Sequence, residues 1–243
     1  MVNNLHKIIF NKDEKFNFKI NSNVMCIGFF DGLHSIHKSI LLKTKEIADE
    51  FNYSSSVFTF EEKIGKNTFK LFSNETKYEK INSEFNIDFI FEMQVNDYTK
   101  STSYNDFLDY IVNILKVKKV IVGSDIKFGY KAQGNLESLI KKLGKENVIV
   151  FEREMHTSST KAREYINSNN FEAFNNLMGY YFEAQFVSNS DGTFKLANDL
   201  NFKNGIYSVE INNKIGRMTI VDNMTRDILE SMSVKIIKLI EEF

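Results

Sequence analysis

Short apolar runs alternate with stretches of helical spacing through the first two thirds of the chain. Val24-Met25-Cys26-Ile27-Gly28-Phe29 predicts a buried strand that ends in a glycine-containing turn. From His34 to Phe51, Ile36, Ile40, Ile47 and Phe51 recur at helical spacing, with Leu41 and Ala48 beside them. Ser56–Phe60 reads as a second strand, 75–85 as a helix and Phe89–Met93 as a third strand. Tyr104–Leu115 reads as an amphipathic helix, Val120–Gly123 as a strand, Leu136–Leu143 as a helix and Val148–Phe151 as a strand. Strands without internal alternation, separated by helices, predict a parallel sheet covered on both faces. Ligands of such sheets sit beyond the carboxyl ends of the strands. After Gly179 the period changes to two: Phe182–Val187, Thr193–Ala197, Ile206–Ile211 and Arg217–Val221 read as antiparallel strands, and Thr225–Phe243 as a closing amphipathic helix. The expected fold is α/β: a Rossmann-like domain over residues 1–179, then a small β-rich unit over 180–243 with a terminal helix.

Composition narrows the partners. The 243 residues carry 31 basic and 32 acidic side chains, a formal charge of −1, so no global field draws in nucleic acid or a membrane surface. No apolar run approaches the ~20 residues that span a bilayer. Leu5-His6-Lys7 and its surroundings lack a signal-peptide core, and the single Cys26 forbids an internal disulfide, so a cytoplasmic protein is expected. There are 23 Phe, no Trp and no Pro. Zero proline, against a usual ~5%, excludes every motif that contains it.

Three loops carry candidate chemistry. Gly28-Phe29-Phe30-Asp31-Gly32-Leu33-His34-Ser35-Ile36-His37 follows the first strand and opens the first helix, where free N–H groups and the helix dipole favour a phosphate. His34 and His37, three apart, share a helix face, and two imidazoles there can stabilise charge during phosphoryl or nucleotidyl transfer. No Cys or carboxylate cluster adjoins them, so the phosphate reading is preferred to a metal site. Thr157-Ser158-Ser159-Thr160-Lys161-Ala162-Arg163 places hydroxyls and a guanidinium at another helix start, although a Ser/Thr cap alone is commonplace. Gly123-Ser124-Asp125-Ile126-Lys127-Phe128-Gly129 leaves the fourth strand as a glycine-punctuated loop with an acid and an aromatic ring suited to stacking on a planar ligand. All three belong at one edge of the predicted sheet.

In order and spacing, these residues resemble the bacterial FAD synthase family, the bifunctional riboflavin kinase/FMN adenylyltransferases. Gly28–His37 resembles its G-x-F-D-G-x-H-x-G-H turn, Ile121–Gly129 its V-V-G-x-D-F-x-F-G stretch, Ser158–Arg163 its S-S-T-x-I-R, and Asn176–Tyr181 its L-L-G-R-x-Y segment. The resemblance implies transfer of AMP from Mg²⁺-bound ATP to FMN, giving FAD and pyrophosphate. It implies that His34, His37 and Arg163 act on the phosphates. Gly28, Phe29, Asp31, Gly32, Ser158, Ser159 and Thr160 would line the ATP site, and Asp125 and Phe128 the flavin side. Two departures stand out. Ile36 replaces the glycine between the histidines, which leaves open a flavin- or nucleotide-binding protein with a decayed site. A different phosphate acceptor also remains open. The kinase half lacks the family's G-F-P-T-A-N motif; the nearest text is Lys195-Leu196-Ala197-Asn198, and residues 180–243 are short for the full barrel. Loss of the kinase step is expected.

Overall fold

A computed structural model describes residues 5–8, 16, 18–62, 69–152, 159–197 and 200–243. Two compact units emerge, Met1–Met155 and His156–Phe243.

In the first unit the elements run β1 (Leu5–Ile8), β2 (Asn23–Ile27), α1 (Ser35–Phe51), β3 (Ser54–Phe60), α2 (Asn74–Phe85) and β4 (Phe89–Met93). Then follow α3 (Asp97–Lys100), α4 (Tyr104–Asn113), β5 (Val117–Gly123), α5 (Leu136–Leu143) and β6 (Val148–Phe151). The six strands form one parallel sheet in the order β1-β4-β3-β2-β5-β6. Going from β2 the chain first builds outward through β3 and β4, then returns to place β5 on the other side of β2. The switch point therefore lies between β2 and β5.

Every residue of β2 and five of seven in β3 are buried, which explains their continuous apolar reading. α1 covers the sheet with Ile40, Leu41, Thr44, Ile47 and Ala48. Ile36 is only half-buried and Phe51 is 44% exposed, so the buried stripe is rotated from the one expected. Phe58, Phe91, Phe107 and Phe128 meet in one cluster, Phe58 edge-on to Phe107 at 5.1 Å and Phe107 tilted on Phe128 at 5.2 Å. Each such ring contributes about 1.5–3 kcal/mol by burial. Asparagine supplies the left-handed residues that close helices: Asn52 after α1 (φ 53°) and Asn86 after α2 (φ 49°).

The second unit holds α6 (Ser159–Asn167), α7 (Phe171–Met178), β7 (Phe182–Ser188), β8 (Phe194–Leu196), β9 (Gly205–Ile211), β10 (Lys214–Ile220), β11 (Met224–Thr225) and β12 (Met232–Glu242). The strands are antiparallel in the order β10-β9-β12-β7-β8-β11, and mutual hydrogen bonds between Val221 and Met224 (both 2.9 Å) bring the two ends of the order together, nearly closing a barrel. Two-residue turns Asn212-Asn213 and Asp222-Asn223, all at positive φ, join β9–β10 and β10–β11.

The helix expected over 225–243 is instead β12, paired with both β7 and β9. Its register shifts between Ile236 and Lys238 and between Leu239 and Glu241 insert extra residues. The apolar set Ile236, Ile237, Leu239, Ile240 then mimics helical spacing within a strand. The expected boundary at Gly179 falls inside the second unit. α7 is tied to its strands by Asn175, which donates to the Ile236 and Ile237 carbonyls (3.2 and 2.8 Å) and accepts from the Phe182 N–H (3.0 Å).

Candidate active site

Beyond Ile27 the β2–β3 ladder continues by one bond, Gly28 N–H to the Phe58 carbonyl at 3.1 Å. The chain then bends sharply: Phe30 (φ 53°), Gly32 (φ 82°) and Leu33 (φ 45°) all take left-handed backbone. For Phe and Leu this costs on the order of 1–3 kcal/mol each and persists only where surroundings over-determine it. Here both side chains are 1% exposed, so burial of two large apolar groups sets the bend. A Cβ at Gly28 would press on the Phe30 ring at 3.1 Å. Asp31, 4% exposed, accepts from the Leu71 N–H at 2.9 Å. The Phe29 carbonyl accepts from the Thr59 hydroxyl at 3.3 Å and from the Lys77 ammonium at 3.4 Å.

The bend delivers the chain to α1 with His34 at its N-cap (φ −62°, ψ 172°) and no side-chain cap; no acid lies in the first turn. A helix start of this kind favours an anion. His34 is buried and His37 half-buried, their rings stacked 3.7 Å apart, with Phe30 5.2 Å from His37. Among the described residues no third His, Cys, Asp or Glu joins them in a group that could hold a metal ion.

Across the switch point, the loop after β5 leaves the same sheet edge. Ser124 donates to the Phe151 carbonyl (2.9 Å) and Ile126 to the Gly123 carbonyl (3.1 Å). Asp125 is exposed. Phe128 and Gly134 exchange backbone hydrogen bonds at 3.1 and 2.9 Å. The Phe128 ring, expected to stack on a ligand, is 5% exposed and lies against Phe107, so its visible contact is with the core. Gly134 makes room for it: a Cβ there would meet that ring at 2.5 Å.

Thr157 and Ser158 lie outside the described residues. Ser159, Thr160 and Arg163 share the start of α6; Arg163, 8% exposed, donates to the Ser159 carbonyl at 3.0 Å. The structure thus unites His34 with His37, sets Asp125 and Phe128 on the neighbouring strand's loop, and groups Ser159, Thr160 and Arg163 on one helix turn of the other unit. Sequence reasoning missed Thr59, Lys77 and Glu92, which lie behind the Gly28–His34 bend. A lysine on the Tyr78/Ile81/Phe85 face of α2 is the signal that was available.

A doubly wound parallel sheet whose switch point carries an uncapped, histidine-bearing helix start is a nucleotidyltransferase arrangement. The family model described as FAD synthetase matches residues 18–170. The chain belongs to the FAD synthetase family of nucleotidyltransferases. A bifunctional riboflavin kinase/FMN adenylyltransferase from Buchnera aphidicola (subsp. Acyrthosiphon pisum) is 30% identical over 220 residues, covering 79% of this chain and 69% of the relative. One of the same description from Listeria monocytogenes is 28% identical over 169 residues, covering 65% of this chain and 54% of that protein. The crystal structure of a macrolide-efflux protein from Streptococcus pneumoniae superposes with a TM-score of 0.76 at 17% identity, covering 99% of this chain and 92% of that one. It carries the fold alone. No helix among the described residues is long and apolar enough to cross a membrane.

Proposed function

We propose that the chain transfers AMP from ATP to FMN, giving FAD and pyrophosphate. The observation that carries this is the His34–His37 ring pair at the uncapped start of α1, at the switch point of the sheet. ATP enters as its Mg²⁺ complex, and the metal, when bound, neutralises phosphate charge. An FMN phosphate oxygen bonds to the α-phosphorus as the bond to the α–β bridging oxygen breaks, and pyrophosphate leaves with that electron pair. The attacking phosphate is largely dianionic near neutral pH, so it has no proton to surrender and needs no general base. What remains is positioning and charge stabilisation. His34, His37 and the N–H groups at the start of α1 are assigned to the ATP phosphates, with Gly28, Phe29, Asp31 and Gly32 shaping the bend beneath them. Ser158, Ser159, Thr160 and Arg163 are assigned to the departing pyrophosphate. Asp125 is assigned to the flavin side, with Phe128 shaping that loop from the core.

The same proposal takes residues 180–243 as a reduced kinase-like unit that has lost riboflavin phosphorylation. In support, the hairpin β7–β8 closes through Asp191, which accepts from the Thr193 N–H and hydroxyl (3.0 and 2.6 Å), and no Pro-Thr pair follows it. Incubation with Mg²⁺, ATP and either FMN or riboflavin, with chromatography of the flavins, tests both parts. FAD from FMN and no FMN from riboflavin are expected. No FAD overturns the first part, and FMN from riboflavin the second.

A second reading rests on Ile36, which is half-buried in the first turn of α1 and so not withdrawn into the core. A β-branched side chain there would obstruct a nucleotide and leave a binding protein. It predicts flavin or ATP binding without pyrophosphate release, and turnover restored in Ile36→Gly. Offering nicotinamide mononucleotide or a phosphopantetheine in place of FMN tests the acceptor.

A further inference from the structure

Lys77 sits on the inward face of α2 beside Tyr78, Ile81 and Phe85 and is 3% exposed. An ammonium so placed is costly unless partners offset its lost hydration. Its Nζ donates to the Thr59 hydroxyl at 3.3 Å and to the Phe29 carbonyl at 3.4 Å, and stands 5.0 Å from the Phe29 ring centre and 4.7 Å from that of Tyr78. Thr59, accepting from Lys77, donates its own hydroxyl to the same Phe29 carbonyl. The charged groups facing Lys77 come from three places: Glu92 on β4, Asp31 in the bend and Lys70 ahead of α2. Tyr78 and Asn74 both donate to Glu92. Burial lowers the Lys77 pKa to about 8, Glu92 and Asp31 hold it up, and Lys70 presses it further down.

A leucine or methionine would cover this hydrocarbon without burying a charge. What the ammonium adds, beside the Thr59 hydroxyl, is a charged donor aimed at the carbonyl of Phe29, immediately before the left-handed Phe30. We propose, building on the adenylyl-transfer reading, that Lys77 is a positioning residue. It clamps the Phe29 carbonyl and thereby the Gly28–His34 bend that sets the His34–His37 pair over the start of α1. Lys77 touches no reacting atom. As it loses its proton above about pH 8, the ion–dipole clamp weakens and its field at the bend disappears.

The test compares the full-length protein with Lys77→Met and Lys77→Arg, using two readouts. In FAD formation from Mg²⁺-ATP and FMN between pH 6 and 9.5, Lys77→Met should lose about tenfold in kcat/KM for ATP at pH 7, with KM for FMN unchanged. The native protein should decline above about pH 8, Lys77→Met should lack that limb, and Lys77→Arg should restore the pH 7 value and move the limb upward. In nitrogen-correlated NMR of the histidine rings without ligand, Lys77→Met should shift His34 and His37 but not His6. Native kcat/KM with an unmoved limb, or unshifted His34 and His37 signals, overturns the proposal. Should Lys77→Met not fold, an alkaline limb in Lys77→Arg coincident with the native one overturns it. Absence of FAD from the native protein instead refutes the adenylyl-transfer reading, and the histidine spectra then decide on Lys77.

Discussion

Gly129→Ala should unseat the loop that carries Asp125 and Phe128. Gly129 has φ +72° and ψ 176°, a region open essentially to glycine alone, where an L residue is strained by about 1–3 kcal/mol. A Cβ there would also lie 2.6 Å from both N and Cα of Tyr104 and 2.7 Å from its Cβ. Those atoms resist displacement. Tyr104 opens α4 behind the Ser103 cap, whose hydroxyl accepts from Asp106 N–H at 3.1 Å, and Thr102 accepts from Tyr130 N–H at 2.7 Å. The gap must open by about 0.8 Å to reach ordinary van der Waals contact, an overpacking cost of about 1–3 kcal/mol. Strain and clash together come to about 2–6 kcal/mol. Gly144→Ala is the internal control: its φ is +89°, but the added Cβ meets only the carboxylate of exposed Glu146, which can swing away. That variant should lose only the strain, about 1–3 kcal/mol. Urea unfolding followed by far-UV circular dichroism reads the difference. With a slope of about 1–3 kcal/mol per molar, Gly129→Ala should unfold at roughly 1 M lower urea than Gly144→Ala. FMN binding, read from flavin fluorescence, should weaken in Gly129→Ala alone. Equal midpoints for the two variants would refute the steric account of this loop.

His34→Ala and His37→Ala should each lower kcat for FAD formation by about 10²–10³-fold with circular dichroism unchanged; wild-type turnover in either removes that imidazole from the mechanism. Tyr207→Phe should cost the second unit about 1–3 kcal/mol in thermal unfolding, because the single hydroxyl proton lies between two acceptors, Asn169 Oδ1 (2.9 Å) and the Lys203 carbonyl (2.7 Å), and Asn169 is buried. Burial pushes the Cys26 thiol up to about 12, so Ellman's reagent at pH 8 should label it only after denaturation. Because the native thiol holds its proton between pH 9 and 12 while the unfolded one releases it, stability should fall as pH rises through that window. Cys26→Ala should flatten that decline in a series of melts.

Much of the first unit could be read directly because its strands are buried on both faces and announce themselves as unbroken apolar runs. Phe89–Met93 and Val148–Phe151 have the bounds expected. β1 was invisible: Leu5-His6-Lys7-Ile8 is short and half polar, and only its parallel pairing with β4 makes it a strand. The Gly28–His37 turn was legible because glycines and histidines are rare enough in this chain to stand out. Lys77 was not, since a lysine in a helix reads as a solvated residue until Thr59, Glu92 and the Phe29 carbonyl are seen around it. Phe128 was read as an aromatic for a planar ligand; its packing on Phe107 and the room that Gly134 leaves for its ring show only in the structure. In the second unit the turns carry Asn-Asn and Asp-Asn where a glycine would have flagged them.

β12 has a consequence for synthesis. It is the last strand along the chain yet occupies a central place in the order, between β9 and β7. As the chain leaves the ribosome, β7–β8 and β9–β10 can each form a hairpin, and β11 can link them by pairing with β8 and bonding back to the end of β10, but the gap between β7 and β9 stays open until Met232–Glu242 has emerged. Until then β7 and β9 each present an unpaired edge to any neighbouring nascent chain. A premature stop or frameshift between β11 and Met232 would therefore leave an aggregation-prone open sheet with two unpaired edges, whereas the sheet of the first unit is already complete at Phe151.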